Sequence, residues 1–242
     1  MNSTSRYYLP ADQWQSDLLT LTGDEAHHCT RVLRSKLGDT VEVFDGEGKS
    51  AQGEITSLAK DQVEISLSSE PTISNRPAEI HLIQAIPKGG NMELIVQKAV
   101  ELGITSIQPL ITENTIARAD QMDKKLAKWQ RIALEACKQC GQNFLPVIHP
   151  ALEFKKWLEV RKSAELNLVA ALLPSSKPLA QVFKNKPQSA SFLIGPEGDF
   201  SDTEYQEITA AGYQAVTLGD IVLRVETATL YCLSVIKHEL GA

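Results

Sequence analysis

The residues best suited to chemistry begin at Gly195, where the apolar run SFLI ends in Gly-Pro-Glu-Gly-Asp. Two glycines let a ligand approach the main chain, and Ser201 with Glu204 predicts a capping box that starts a helix. A helix N-terminus after such a turn ordinarily suggests phosphate. Here the carboxylates of Glu197, Asp199 and Asp202 would repel an anion. The turn therefore favours a neutral or cationic ligand, and the alternative is a solvent-exposed acidic turn.

A second candidate segment is LGDIVLRVETA, which starts at Leu218. A predicted strand ends at Gly219, and Arg224 and Glu226 stand just before a long apolar helix. These two side chains could pair with each other or cap the helix. Because this loop and the 195–199 turn both follow strands, they could also form two walls of one pocket.

Several common sites lack their residues. The chain has no dinucleotide fingerprint, no P-loop and no serine nucleophile elbow. The cysteines do not form a disulfide framework, and we expect no metal site because Cys137 and Cys140 have no further ligands at zinc spacing. We interpret these two cysteines as packing residues of a helix.

The elements that must position both loops alternate between strand and helix. We predict strands over 80–86, 104–112, 166–173, 189–195 and 215–219, and helices that close at Gly103, Gly141 and Gly212, followed by a final helix from Val225. Apolar strands alternating with helices indicate a parallel sheet covered on both faces. In such sheets ligands bind beyond the carboxyl ends of the strands, where both loops lie.

The first part of the chain has a different pattern. Residues 39–67 alternate between apolar and polar around turns such as Asp45-Gly46, which predicts a small antiparallel β-barrel. One helix is expected from a capping box at Thr22 and Glu25 to near Gly38, with Ala26, Cys29, Val32 and Leu33 as its core face. Its other face carries a basic stripe, defined as His27, Arg31 and Arg34. This stripe is either a solvated helix face or an RNA contact.

Charge separates the two parts further. Residues 1–72 carry 6 Lys and Arg against 12 Asp and Glu, whereas residues 73–242 carry 18 of each. The net charge of −6 argues against non-specific nucleic-acid binding but not against a specific RNA enzyme.

The Ser- and Pro-rich segment 68–79 is the expected linker, with the boundary near Asn75. No segment has the pattern of a signal peptide or a membrane span, so we expect a cytoplasmic protein.

The two motifs together resemble a known family. GPEG at 195–198 and LGxxxLRxETA at 218–228 are similar to the signature of the RsmE methyltransferases, SPOUT-class enzymes that methylate N3 of a uridine in small-subunit (16S) ribosomal RNA. Further matches are spread over the chain: Arg6-Tyr7-Tyr8, His28 to Arg34, Lys88, Lys98, Glu101-Leu102-Gly103, Glu135-Ala136 and Gln139. The resemblance therefore covers nearly the whole chain.

The resemblance implies an α/β protein with a PUA-like RNA-binding β-barrel over 1–74 and a SPOUT domain with a trefoil knot over 75–242. It implies a homodimer, S-adenosylmethionine (SAM) as cofactor, and 16S rRNA, within the assembled small subunit, as partner. The implied SAM contacts are Leu172, Leu173, Gly195, Pro196, Glu197, Gly198, Leu218, Gly219, Ile221 and Leu223. The implied RNA contacts are Lys88 and Lys98, in addition to the basic stripe His27, Arg31 and Arg34.

Methyl transfer to N3 requires loss of the N3 proton, and an arginine near O2 or O4 would stabilise the uracil anion. We predict Arg224 for this role from its place beside the cofactor loop, and Arg6 from the resemblance alone. Glu226 is the candidate base, or it orients Arg224. The chain departs from the family pattern at Asp199, where a glycine is usual, and at Gln142, where an arginine is frequent. Asp199 narrows the backbone freedom of the turn, and Gln142 weakens a contact with RNA.

Two alternatives remain. The same fold could serve as a non-catalytic RNA-binding or ribosome-assembly module, which turnover would distinguish from an enzyme. The acidic balance also suits a small-molecule-binding protein unrelated to RNA, although the basic stripe disfavours it.

Overall fold

The computed structural model describes residues 4–14, 16–116, 122–183 and 186–241. The chain forms two compact units. The first contains Met1–Arg76 together with Cys137–Leu145, and the second contains Pro77–Ala136 together with Pro146–Ala242. Segment 137–145, which begins in the last turn of a long helix, thus belongs to the first unit. The domain boundary near Asn75 stays a prediction.

The first unit is built on a mixed six-stranded sheet. Its strands are β1 (Ser5–Tyr8), β2 (Leu18–Thr22), β3 (Thr40–Phe44), β4 (Lys49–Leu58), β5 (Gln62–Leu67) and β6 (Thr72–Ile73). Their order is β1-β3-β4-β5-β2, and β6 pairs with β4. The β1–β3 pair is parallel and the others are antiparallel. The predicted turn at Asp45-Gly46 joins β3 to β4, and Gly46 takes the positive φ of 79° that glycine adopts readily.

The predicted helix of the first unit is much shorter than expected. It comprises α1 (Gly23–His27) and a single π-helical turn, His28–Val32. Ala26 and Cys29 are buried as predicted, but the core prediction was wrong for Val32 and Leu33, which are 62% and 45% exposed. The capping box at Thr22 was also wrong, because Thr22 makes no side-chain cap bond. The carboxylate of Glu25 instead accepts the backbone N–H of Tyr8 and pairs with Lys138.

The second unit is built on an eight-stranded parallel sheet. Its strands are β7 (Glu79–Ala85), β8 (Ser106–Ile111), β9 (Val147–Ile148), β10 (Leu152–Glu153), β11 (Leu166–Ala170), β12 (Lys177–Pro178), β13 (Ser189–Ile194) and β14 (Gln214–Thr217). Their order is β10-β8-β7-β13-β11-β14-β12, with β9 on β8. The five strands predicted for this part of the chain are confirmed. The two-residue strands β9, β10 and β12 were missed because such short runs carry no periodicity.

Helices accompany this sheet: α2 (Asn91–Glu101), α3 (Met122–Cys140), α4 (Phe154–Val160), α5 (Asp202–Ala210) and α6 (Val225–Leu240). Adjacent strand residues such as Leu82 and Ile83, or Phe192 and Leu193, are all buried. Since successive side chains point to opposite faces of a sheet, both faces are covered, as predicted. The Ser201–Glu204 capping box at the start of α5 is present as predicted.

Within the described residues no helix is long and apolar enough to cross a membrane.

Cys137 is buried as expected, and burial raises the pKa of its thiol to about 12. Cys140, one helical turn later, is exposed, so the packing interpretation was wrong for this residue.

Candidate cofactor and active site

A cavity of about 460 Å³ opens at the carboxyl ends of β11, β13 and β14 in the second unit. Its walls come from the three segments that follow these strands, together with the starts of α2 and α6. A cavity of this volume is within the range that holds a small ligand. The position agrees with the rule that parallel sheets bind ligands beyond their carboxyl ends.

The turn after β13 forms one wall. Gly195 and Pro196 are buried, and Asp199 closes the turn by donating its N–H to the Pro196 carbonyl at 2.9 Å. Oε1 of Glu197 accepts the backbone N–H of Lys88 at 2.8 Å. The turn is therefore fixed to the loop that precedes α2.

The segment after β14 forms the facing wall. Gly219 has a φ of 122°, and its N–H and carbonyl both bond the Thr217 hydroxyl. Arg224 is the N-cap residue of α6 and is exposed. In the first turn of α6, Oε2 of Glu226 accepts a hydrogen bond from the side-chain amide of Asn91 at 3.3 Å.

The structure brings most of the predicted site residues together. Those that line the cavity are Leu172, Gly195, Pro196, Glu197, Leu218, Gly219, Ile221, Leu223, Arg224 and Glu226. Two predicted contacts do not line it. Leu173 packs partly buried against the core of the second unit, and the Gly198 carbonyl accepts a hydrogen bond from Asn114.

Other residues of the cavity were not predicted as contacts. Ala170 ends β11 and Ala171 follows it, and the strand-end rule that located the other loops would have found them. Asn91 starts α2 directly after Gly89-Gly90, a glycine pair that marks a loop before a helix. Asp199, predicted to contribute negative charge to the turn but not as a SAM contact, also lines the cavity.

The charges around the cavity favour a cation. Glu197, Asp199 and Glu226 line it, with Arg224 as the cationic residue of the lining. The N-terminus of α5 is already capped by Ser201 and Glu204, so the backbone N–H groups of these two residues are used within the chain. Among the described residues no group of three or more His, Cys, Asp or Glu side chains could hold a metal ion.

Arg6 lies in the first unit, where its guanidinium is held by protein groups. It donates to the Cys137 carbonyl at 2.8 Å and to the side-chain oxygen of Asn143, and it pairs with Glu42 at 3.2 Å. Its side chain is 7% exposed. This arrangement supports a structural role for Arg6 in holding segment 137–145, and a catalytic role would require release of these bonds.

The residues predicted to contact RNA differ in their availability. His27, Arg31 and Arg34 of the basic stripe are exposed, and so is Lys88. Lys98 is paired with Glu101 at 2.8 Å on the same helix. Gln142 lies in segment 137–145, where its side-chain oxygen is 3.5 Å from the N–H of Phe144.

The chain matches two family models, an RNA methyltransferase PUA domain over residues 21–68 and an RNA methyltransferase domain over residues 74–237. It is 31% identical to ribosomal RNA small subunit methyltransferase E of Bacillus subtilis, covering 97% of this chain and 96% of that protein. The protein of the same name from Synechocystis is 33% identical, covering 90% of this chain and 72% of that protein.

A solved structure gives the same result. The chain is similar to the crystal structure of ribosomal RNA small subunit methyltransferase E from Neisseria gonorrhoeae bound to SAM. The TM-score is 0.88 at 34% identity, and the match covers 98% of each chain. The predicted PUA-like and parallel-sheet architecture is thereby confirmed, and the chain belongs to the RNA methyltransferase family of ribosomal RNA small subunit methyltransferase E.

Proposed function

We propose that this protein transfers the methyl group of SAM to N3 of a uridine in small-subunit rRNA. The observation that carries the proposal is the meeting of both motif loops at one cavity, with Arg224 and Glu226 on its wall. The proposal includes the features expected from the family resemblance: a homodimer with a trefoil knot, action on the assembled small subunit, and a place in ribosome maturation in the cytoplasm.

The cavity residues fit SAM. This cofactor carries a sulfonium cation and no phosphate, so the carboxylates of Glu197 and Glu226 suit it where they would repel a dinucleotide. The apolar side chains of Leu172, Leu218, Ile221 and Leu223 provide surfaces for an adenine ring. When bound, SAM supplies an electrophilic methyl group for in-line displacement.

Arg224 has the position required to stabilise the nucleophile. It lines the cavity, is exposed to an incoming base, and caps α6 without using its side chain. A guanidinium near O2 or O4 of the uracil favours the N3 anion, which is the form that attacks the methyl carbon. Arg224 therefore contributes to the rate of transfer and not to SAM affinity.

Glu226 is the carboxylate nearest in sequence to Arg224 on this wall. Its Oε2 is held by Asn91, which fixes the side chain at the cavity. We assign it the acceptance of the N3 proton, which then passes to water.

The basic stripe of the first unit, His27, Arg31 and Arg34, contacts RNA phosphates, with Lys88 as an exposed cation of the second unit.

Two exposed isoleucines test the cofactor site. Ile221 lines the cavity and is 71% exposed, whereas Ile116 is outside the lining and is 72% exposed. Because both side chains are exposed, arginine at either position leaves the fold intact. Ile221→Arg should weaken SAM binding by about tenfold or more, since it places a second cation at a site for a cation. Ile116→Arg should bind SAM as the wild type does. Equal SAM affinity of both variants, measured by calorimetry, would place the cofactor elsewhere.

A further inference from the structure

Asp199 is a non-glycine residue in a backbone conformation that favours glycine. Its φ is 60°, and among the described non-glycine residues only Arg34 also has a positive φ. This conformation is unfavourable for an L-residue, although Asp and Asn tolerate it better than most. The turn is therefore held by contacts that offset this cost.

The carboxylate of Asp199 provides one set of these contacts. Oδ1 accepts the backbone N–H of Phe200 at 2.8 Å and the hydroxyl of Tyr205 at 2.7 Å. Tyr205 is buried on α5, and burial together with the Asp199 carboxylate raises its pKa above the ordinary value. The hydroxyl therefore stays protonated and donates to Asp199.

The backbone of the same turn is held from a second side. The side-chain amide of Asn114, in the segment after β8, donates to the carbonyls of Gly198 and Asp199 at 3.0 Å each. The turn is thus fixed to α5 through Tyr205 and to the end of β8 through Asn114.

The Asp199 side chain also shapes the wall of the cavity. A Cβ atom placed on Gly195 would lie 3.0 Å from Asp199 Oδ1 and 3.2 Å from the Phe200 ring. The carboxylate therefore packs against the backbone of Gly195, and both residues line the cavity. Any shift of Asp199 would move this wall.

We propose that Asp199, held by Tyr205, is a positioning residue that sets the affinity of the cavity for SAM by fixing the turn at 195–199. This inference rests on the proposed cofactor site. The role depends on an acceptor oxygen at Asp199 and on the Tyr205 hydroxyl, and not on the negative charge. Its main competitor is direct attraction between the carboxylate and the sulfonium.

Binding of SAM and of S-adenosylhomocysteine separates these possibilities, because the product lacks the sulfonium charge. Tyr205→Phe should weaken both ligands by a similar factor of about ten. Asp199→Ala should do the same. Asp199→Asn keeps an acceptor oxygen and tolerates positive φ, so it should retain near wild-type affinity for both. When SAM is varied, Tyr205→Phe should raise the KM for SAM. The kcat reached at saturating SAM should stay unchanged.

Tyr213→Phe is the matched control. Tyr213 belongs to the same core cluster as Tyr205, and its hydroxyl bonds Ser191 at 2.9 Å away from the turn. This variant should bind both ligands normally. Unchanged affinities in Tyr205→Phe would overturn the proposal, as would an Asp199→Asn variant that loses SAM but keeps S-adenosylhomocysteine. Failure of the cofactor site itself is recognised separately, by normal SAM binding in Ile221→Arg.

Discussion

The side-chain amide of Asn91 lies 3.3 Å from Oε2 of Glu226 and joins the start of α2 to the first turn of α6. Within the described part of the chain no ion pair links Glu226 to Arg224, although the sequence left such a pair open. Substitution of either side chain therefore breaks no direct ion pair between them, and each can be tested by itself.

Arg224→Ala should lower the methylation rate by a factor of ten or more, with each factor of ten equal to about 1.4 kcal/mol of transition-state stabilisation. SAM affinity should stay nearly unchanged, because the guanidinium is assigned to the uracil and not to the cofactor. Single-turnover rates and calorimetry measure the two quantities. A normal rate in Arg224→Ala would remove this residue from the mechanism.

Glu226→Gln should lower the rate of methyl transfer, since an amide cannot accept the N3 proton. Asn91→Ala keeps the carboxylate but frees its position, so its rate should fall less than that of Glu226→Gln. Single-turnover rates measure both, and a normal rate in Glu226→Gln would mean that the proton leaves by another route.

Arg31→Glu combined with Arg34→Glu should weaken RNA binding and reduce its salt dependence, because fewer counterions are released. SAM binding in the second unit should be unaffected. Lys60→Glu reverses an exposed charge elsewhere in the first unit and should change RNA binding less. Binding curves at several salt concentrations test this, and identical slopes for the wild type and the double variant would reduce the stripe to a solvated face.

Two ion pairs of equal N···O distance predict different effects on stability. Lys138 and Glu25 are 2.8 Å apart, and their side chains are 6% and 14% exposed. Lys138→Ala leaves Glu25 without this buried partner and should lower the free energy of unfolding by about 3 kcal/mol. Lys156 and Glu159 are also 2.8 Å apart but are exposed, so Lys156→Ala should change the free energy of unfolding by at most about 0.5 kcal/mol. Denaturant titration measures the free energy of unfolding of both variants. Equally small decreases would show that the buried Lys138–Glu25 pair does not stabilise the fold.

The two predicted capping boxes show when the local sequence predicts side-chain hydrogen bonds correctly and when it does not. Ser201 and Glu204 form theirs because both partners lie within one turn: Oε2 of Glu204 accepts the Ser201 N–H, even though Oε1 also accepts the N–H of the distant Glu113. Glu25 is three residues after Thr22 in the same pattern, but its oxygens bond Tyr8 and Lys138. Lys138 is 113 residues away in sequence, so no local pattern could have revealed this partner.

The candidate site was more predictable than the first unit. Strand-end loops locate a ligand site in any parallel sheet, and the charges of the 195–199 turn already favoured a cation. By contrast, segment 137–145 joins the first unit through Arg6, Asn143 and Ser74, which are polar contacts without periodicity. Val32 and Leu33 fit an α-helical core pattern, but Val32 lies in the π-helical turn and Leu33 directly after it, where the α-helical period no longer holds.

The most direct test is transfer of labelled methyl from SAM to small ribosomal subunits that lack the modification, followed by nucleoside analysis of the rRNA. We predict that the label appears as 3-methyluridine and that Arg224→Ala reduces it at least tenfold at saturating SAM. Label in another nucleoside would contradict the proposed target atom. No incorporation by a protein that binds SAM and RNA would contradict the central claim and indicate a non-catalytic RNA-binding protein.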